Sequence, residues 1–144
     1  ARVARRFGVQ PKVAMLSFSN FGTSEELRTD RIEEAISIAR ELDSDLVIDG
    51  PMQVDTALVP DIQTDYPFMA FDGPANVLIC PNLASANIAY KLLQRIAGAE
   101  MTGPILEGLS KPAHVLQRGD SVRDVVHMAA ICAVDAQRHA RQRL

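Results

Sequence analysis

The sequence predicts an α/β domain, a layered and mostly parallel sheet with flanking helices, on three observations. Short apolar runs of strand length recur at 12–17, 46–48 and 76–80. Each empties into a polar loop carrying Gly, Asn or Pro, and stretches with apolar residues at helical spacing stand between them. Strands alternating with helices at this spacing bury a parallel sheet between helical layers. In such sheets ligands bind beyond the carboxyl ends of the strands.

The elements follow in order. Arg2, Arg5 and Arg6 sit on what reads as the last turns of a helix, stopped by Gly8, its beginning lying before Ala1. The run 12–17 (KVAMLS) is a buried strand that leads into the loop 18–24 (FSNFGTS). Asp30 is placed as an N-cap with Glu33 at the capping-box position, opening a helix whose stripe is Ile32, Ala35, Ile36, Ala39 and Leu42. The strand 46–48 is expected to end at Asp49-Gly50-Pro51, and a weaker helix covers 54–59 until Pro60 stops it. The proline-punctuated stretch 61–74 reads as a loop, and 76–80 (NVLIC) as a third buried strand. Residues 84–97 give the clearest helix, with Ile88, Leu92 and Ile96 on one face and Gly98 as its stop. Two further short strands are expected at 103–106 and 113–116. Ser121 then caps a long last helix, whose buried side is expected to carry Val125, Ala129, Cys132 and Ala136.

Composition narrows the function classes. With 144 residues, 47% of them hydrophobic and 23% charged, the chain has enough apolar material for a core. A net charge of −3 argues against nucleic acid as a partner, which calls for a basic patch. The basic residues Arg138, His139, Arg141 and Arg143 near the end read as a solvated helix face. No stretch approaches the ~20 apolar residues of a membrane span, and no secretory signal is visible. Cys80 and Cys132 lie in apolar runs and read as buried reduced thiols, which places the chain in the cytoplasm. His114, His127 and His139 are scattered without ligand spacing, so no metal is expected in this segment. There is also no GxGxxG and no P-loop.

Three polar loops leave strand ends: 18–24, 49–53 and 81–87. Around Gly22, the hydroxyls of Ser17, Ser19, Thr23 and Ser24 and the amide of Asn20 can cradle a phosphate or carboxylate, or can form an ordinary self-satisfied turn. Arg118 stands just before the helix that starts at Ser121, where a guanidinium beside free helix N–H groups suits an acyl-phosphate oxyanion. Asp124, one turn in, can orient Arg118, accept a proton, or simply cap the helix. Asp49 and Asp55 are acidic groups near a strand end with no supporting partner in the sequence, and no role is assigned to them.

Four stretches, PKVAMLSFSNFG from Pro11, DLVIDGPMQVDTALVP from Asp45, ANVLICPNLASANIAYKLLQRIAGAEMTGPILEGLSKP from Ala75 and RGDSVRDVV from Arg118, have a counterpart in a known family. In order and spacing they resemble the second half of the phosphate acetyl/butyryltransferases, over about Pro11 to Gln137. The resemblance implies a fold of the isocitrate/isopropylmalate dehydrogenase-like kind, two domains flanking a cleft. Residues 1–144 then form the C-terminal part of such a domain within a longer chain, and are a partial domain on their own. It implies acetyl transfer between coenzyme A and phosphate, by attack of a deprotonated thiol on the acyl carbon. The family's Ser-Arg-Gly motif and following aspartate fall on Gln117-Arg118-Gly119 and Asp124. Arg118 then holds an acyl phosphate or CoA phosphate and Asp124 is the base. Ser17, Ser19, Thr23, Asn82, Ser85, Asn87 and Arg118 form the expected binding set for acetyl-CoA, acetyl phosphate or phosphate.

Gln117 replaces the family's serine, and a long amide in place of a small hydroxyl argues against turnover. The loop Asn82-Leu83-Ala84-Ser85-Ala86-Asn87 and the stretch Lys111-Pro112-Ala113-His114-Val115 look like the form of this family at the C-terminus of large bacterial NADP-dependent malic enzymes. That form implies a parent which oxidatively decarboxylates malate to pyruvate with NADP and a divalent metal (Mg or Mn), none of whose ligands lie in this segment. The tail is then a non-catalytic module that senses acetyl-CoA and assembles a homodimer or higher homo-oligomer. The alternative is an active phosphate acetyltransferase.

Overall fold

Lys12–Leu16 forms β1, the middle strand of a three-stranded parallel sheet of order β2-β1-β3, with β2 at Val47–Met52 and β3 at Val77–Ile79. The coordinates are a computed structural model that describes residues 1–22 and 30–141. A central parallel strand is covered on both faces, which is why β1 reads as a continuous apolar run. Ala14 and Leu16 point into one cluster with Met52, Ala57, Phe71 and Ala75. Val13 points the other way, into a cluster with Ile36 and Ile48.

The helix α2, Asp30–Leu42, covers the second face through Ile36, with Ile32 and Ala39 packed beside it. Its stripe is narrower than the sequence predicts: Ala35 is exposed, and Leu42 is 83% exposed. Asp30 is itself helical, so the cap falls outside the described residues. The first face is closed by α3, Val54–Leu58, and by the chain around Phe71 and Ala75. Pro60 does not only stop α3. It opens a short helix, α4, Pro60–Gln63, where its fixed φ and missing N–H suit a first turn. Gln63 is buried and ties this layer together, its Nε2 donating to the carbonyls of Thr56 at 3.0 Å and Gly73 at 3.2 Å.

The strand β2 runs past its expected stop and includes Gly50 and Pro51. The register against β1 shifts between Ala14 and Leu16, so β2 bends around Met15 there. Gly50 permits this because it has no side chain: a Cβ at that position would lie 2.5 Å from the carbonyl oxygen of Met15. Pro51 is tolerated because β2 is an edge strand.

The chain divides into two units, Ala1–Lys91, which holds the sheet, and Leu92–Leu144, which holds α6, Val122–Arg141. At the start of the first, α1, Arg2–Arg6, ends as predicted at Gly8. Gly8 has φ +74°, and the N–H groups of Gly8 and Val9 return to the carbonyls of Arg5 and Ala4, a Schellman closure. The helix α5, Leu83–Ile96, begins in the first unit and ends in the second, at Gly98 with φ +64°.

Two expectations for the later part are corrected. Neither 103–106 nor 113–116 is a strand. An apolar run becomes a strand only beside a ladder partner, and here the Leu106 N–H is taken by a side chain, the His114 ring, at 3.2 Å. The buried side of the last helix differs from the prediction, and the apolar face of α5 is exposed. Ile88, Leu92 and Ile96 of α5 are 61, 52 and 80% exposed. On α6 the buried position is Met128, with Ile131, Cys132 and Asp135 partly covered, while Val125, Ala129 and Ala136 are exposed. Helical spacing identified amphipathic helices; it could not say which face meets a neighbour.

Candidate functional site

Because all three strands are parallel, the loops after β1, β2 and β3 leave the same edge of the sheet. The chain goes from β1 to β2 on one side and then to β3 on the other, so a topological switch point lies at that edge. Ser17 continues β1, its N–H donating to the Met52 carbonyl at 2.8 Å. Ser19 is buried, and among the described residues its hydroxyl has no hydrogen-bond partner. Asn20 is the anchor of the loop: its Oδ1 accepts the Gln53 N–H at 2.7 Å and its Nδ2 donates to Tyr66 Oη at 3.1 Å. Gln53 answers with its own side chain, Nε2 donating to the Phe18 carbonyl at 2.6 Å. Phe21, at φ +46°, donates its N–H to the Pro51 carbonyl at 2.7 Å and packs its ring against Tyr66 and Phe68. Residues 18–21 of the loop are therefore held by hydrogen bonds to Gln53, Pro51 and Tyr66 and by the packing of the Phe21 ring on Tyr66 and Phe68. Thr23 and Ser24 lie outside the described residues.

The loop after β3 is shorter than predicted. Asn82 Oδ1 accepts the N–H of Ser85 at 2.9 Å, and Ser85 Oγ donates back to the Asn82 carbonyl at 2.9 Å. Asn82 is thereby the N-cap of α5, and Ser85 and Asn87 stand on the helix rather than in a loop. Asn87 is exposed there.

In the second unit, the turn at Arg118 is built by its neighbours. The Asp120 N–H donates to the Gln117 carbonyl at 3.1 Å, Asp120 Oδ2 accepts the Gln117 N–H at 2.6 Å, and Gly119 takes φ +95°. This is the type II form, which needs a glycine at its third position and puts Arg118 at its second. Arg118 is exposed, and among the described residues no side chain pairs with it. Asp124 is engaged elsewhere. Its Oδ2 accepts the Ser121 hydroxyl at 2.6 Å and the Ser121 N–H at 2.8 Å, while Ser121 Oγ accepts the Asp124 N–H at 3.2 Å. The reciprocal pair is a capping box at the start of α6.

The hydroxyl and backbone bonds from Ser121 hold the Asp124 carboxyl below the usual carboxylate range. A side-chain hydrogen bond from Arg5, at 2.7 Å, does the same for Asp43. Both groups bind a proton less readily folded than unfolded, so their contribution to stability is in place above the unfolded carboxylate range and is lost as pH falls through the folded values. Urea midpoints are therefore expected to drop as pH is lowered through about 4. Asp124→Asn should flatten the part of that slope reported by α6, and an unchanged slope would remove the cap from the account.

Asp49, for which no role was assigned, is structural: its Oδ1 accepts the Gly50 N–H at 2.9 Å and its Oδ2 the Ala70 N–H at 2.7 Å. It also lines a cavity of about 410 Å³ with Glu33, Ile36, Ser37, Arg40, Glu41 and Gly50, which includes none of the predicted site residues. Among the described residues no three His, Cys, Asp or Glu side chains are grouped to hold a metal, and no helix is long and apolar enough to cross a membrane. Two residues that matter to the β1 loop, Gln53 and Tyr66, were not among the predicted set. Gln53 lies in a loop recognised as leaving a strand end, but Tyr66 carried no signal.

The comparisons with known proteins agree with this architecture. The family model of the phosphate acetyl/butaryl transferases matches residues 1–133. The NADP-dependent malic enzyme of Salmonella typhimurium is 46% identical over 140 residues, 95% of this chain and 18% of that enzyme. The phosphate acetyltransferase of Acetivibrio thermocellus is 47% identical over 131 residues, 90% of this chain and 40% of that protein. The crystal structure of a phosphotransacetylase from Streptococcus pyogenes superposes with a TM-score of 0.89 at 42% identity, covering 96% of this chain and 42% of that one. The chain thus spans about two-fifths of the transferases and under a fifth of the malic enzyme.

Proposed function

The chain belongs to the phosphate acetyl/butaryl transferase family, and from that premise we propose that it is the regulatory and assembly tail of a cytoplasmic NADP-dependent malic enzyme. It binds acetyl-CoA without turning it over. The observation that carries this reading is the state of the residues that the resemblance sets on the family's catalytic motif. Arg118 is displayed at the tip of a turn, fit to meet a phosphate. Asp124 is tied into a helix cap that lowers its affinity for a proton, and Gln117 stands where the family carries a serine. A cationic holder survives while the base is weakened. Similarity to a malic enzyme over 95% of the chain supports the same reading.

The exposed apolar faces of α5 and α6 support association, because contiguous apolar surface on a helix finds a partner or a second copy. NADP and the divalent metal belong, on this reading, to the part of the enzyme beyond this chain.

The second reading, an active phosphate acetyltransferase, is favoured by 47% identity to such an enzyme and by the retained Arg118. The two separate in the whole protein that carries this chain. Malate-dependent NADP reduction is expected to respond to acetyl-CoA, and acetyl-CoA is expected to release no thiol when phosphate is added. Phosphate-dependent thiol release would overturn the non-catalytic reading and establish the transferase.

A further inference from the structure

His114 is buried in the second unit, its side chain 4% exposed, and its two ring nitrogens make two different bonds. Nδ1 accepts the backbone N–H of Leu106 at 3.2 Å, and Nε2 lies 3.2 Å from Asp135 Oδ2 on α6. A backbone N–H can only donate, so Nδ1 carries no proton and the ring proton sits on Nε2, aimed at the carboxylate. The geometry fixes the tautomer. A second proton has one place to go, Nδ1, where it meets the Leu106 N–H donor to donor.

The consequences on the two sides are opposite. Protonation turns the contact with Asp135 into an ion pair and strengthens it. It also abolishes the acceptor for Leu106 and leaves that N–H without its partner. We propose that His114 and Asp135 form a proton-controlled latch, which holds the stretch 106–114 on α6 when the ring is neutral and releases its Leu106 end when the ring is charged. The Cys132 thiol, donating to the Pro112 carbonyl at 3.9 Å, is a weaker second tie between the same two elements. The turn that displays Arg118 follows His114 directly along the chain, so the latch sets the base from which that turn starts.

Other charged and titratable groups sit on the same elements. On the stretch these are Glu107 and Lys111; on α6 they are Arg123, Asp124, His127 and Cys132 before Asp135, and Arg138, His139 and Arg141 after it. Glu107, Asp135 and Arg138 each have further interactions of their own, and Asp124 is held by Ser121. His114 is the one among them whose ring bridges the stretch to the helix.

The latch needs no ligand, and its absence would leave the acetyl-CoA reading untouched. The test is an NMR pH series on the ¹⁵N-labelled chain. At high pH the His114 ring is expected in the Nε2–H form with a protected Leu106 amide. Once the ring is charged, the protection factor of that amide, corrected for the intrinsic pH dependence of exchange, should fall roughly tenfold, the equivalent of one ordinary hydrogen bond, while the protection factors of the β1 amides stay unchanged. Asp135→Asn keeps an acceptor for the ring N–H but removes the charge, so it should move the opening to lower pH. A Leu106 amide that stays protected while His114 titrates, or a neutral ring protonated at Nδ1, would overturn the latch. An opening midpoint unmoved by Asp135→Asn would also overturn it, by removing Asp135 from the device.

Discussion

Gly50→Ala is expected to destabilise the sheet-bearing unit by about 3–5 kcal/mol, the sum of backbone strain and overpacking. Gly50 has φ +138°, which side-chain-bearing residues rarely adopt. Its missing Cβ would meet the Met15 carbonyl oxygen at 2.5 Å and Met15 Cβ at 2.9 Å. The nearer contact is backbone of the central strand, which cannot rotate away as a flexible side-chain end would. Relief requires β2 to move off β1, which opens the cluster of Ala14, Leu16 and Met52, all at 7% exposure or less. Against a whole-domain stability of ~5–15 kcal/mol, that loss moves most of the chain toward the unfolded state in mild denaturant. Urea unfolding followed by circular dichroism measures it directly. Gly8→Ala is the control, since Gly8 also has a positive φ but nothing within 4 Å of its missing Cβ. It should cost only the ~1–2 kcal/mol of a left-handed residue. Equal losses in the two variants would mean that β2 does not press on Met15 in solution.

Much of this architecture was legible in the residues, and the misreadings have physical causes. The strands β1 and β3 were visible because a buried strand is a short apolar run between turn formers, and α1 and α5 because each stops at a glycine. Gly50 and Pro51 look like a stop to local rules, yet on an edge strand pressed against Met15 they are what allows β2 to continue. The runs 103–106 and 113–116 have strand chemistry but no ladder partner among the described residues, and pairing is a non-local property that a run cannot announce. At the candidate site the same division holds. Ser17, Ser19 and Asn20 could be placed at a strand end from the sequence alone. That Asn20 would be held by Tyr66, a residue 46 positions away, could not. Asn82 and Asp124 were chosen for their chemistry, and each is used as a helix cap, the use that chemistry serves most often at such a position.

Arg118→Ala is expected to weaken acetyl-CoA binding by roughly 10- to 100-fold, the size of one lost charge-assisted hydrogen-bonding group. Among the described residues Arg118 makes no side-chain pairing, and Gln117, Gly119 and Asp120 build its turn without its help. Removing its side chain should therefore leave the thermal midpoint and the circular dichroism of the chain unchanged, so that any loss is a loss of contact with ligand. Arg118→Lys should recover only part of the affinity, because an ammonium offers a point charge where a guanidinium offers a planar fork to phosphate oxygens. Arg123→Ala supplies the comparison: it removes the same charge a few residues away, from a side chain occupied with Glu100 at 2.9 and 3.0 Å. If binding depends on the general positive field, the two variants lose affinity alike. If it depends on the group held out by the turn, only Arg118→Ala does. Titration calorimetry with acetyl-CoA and with desulfo-CoA, which keeps the phosphates and lacks the thiol, locates the contact on the ligand. A phosphate contact predicts the same fractional loss for both ligands, whereas a contact at the acyl end predicts a loss confined to acetyl-CoA.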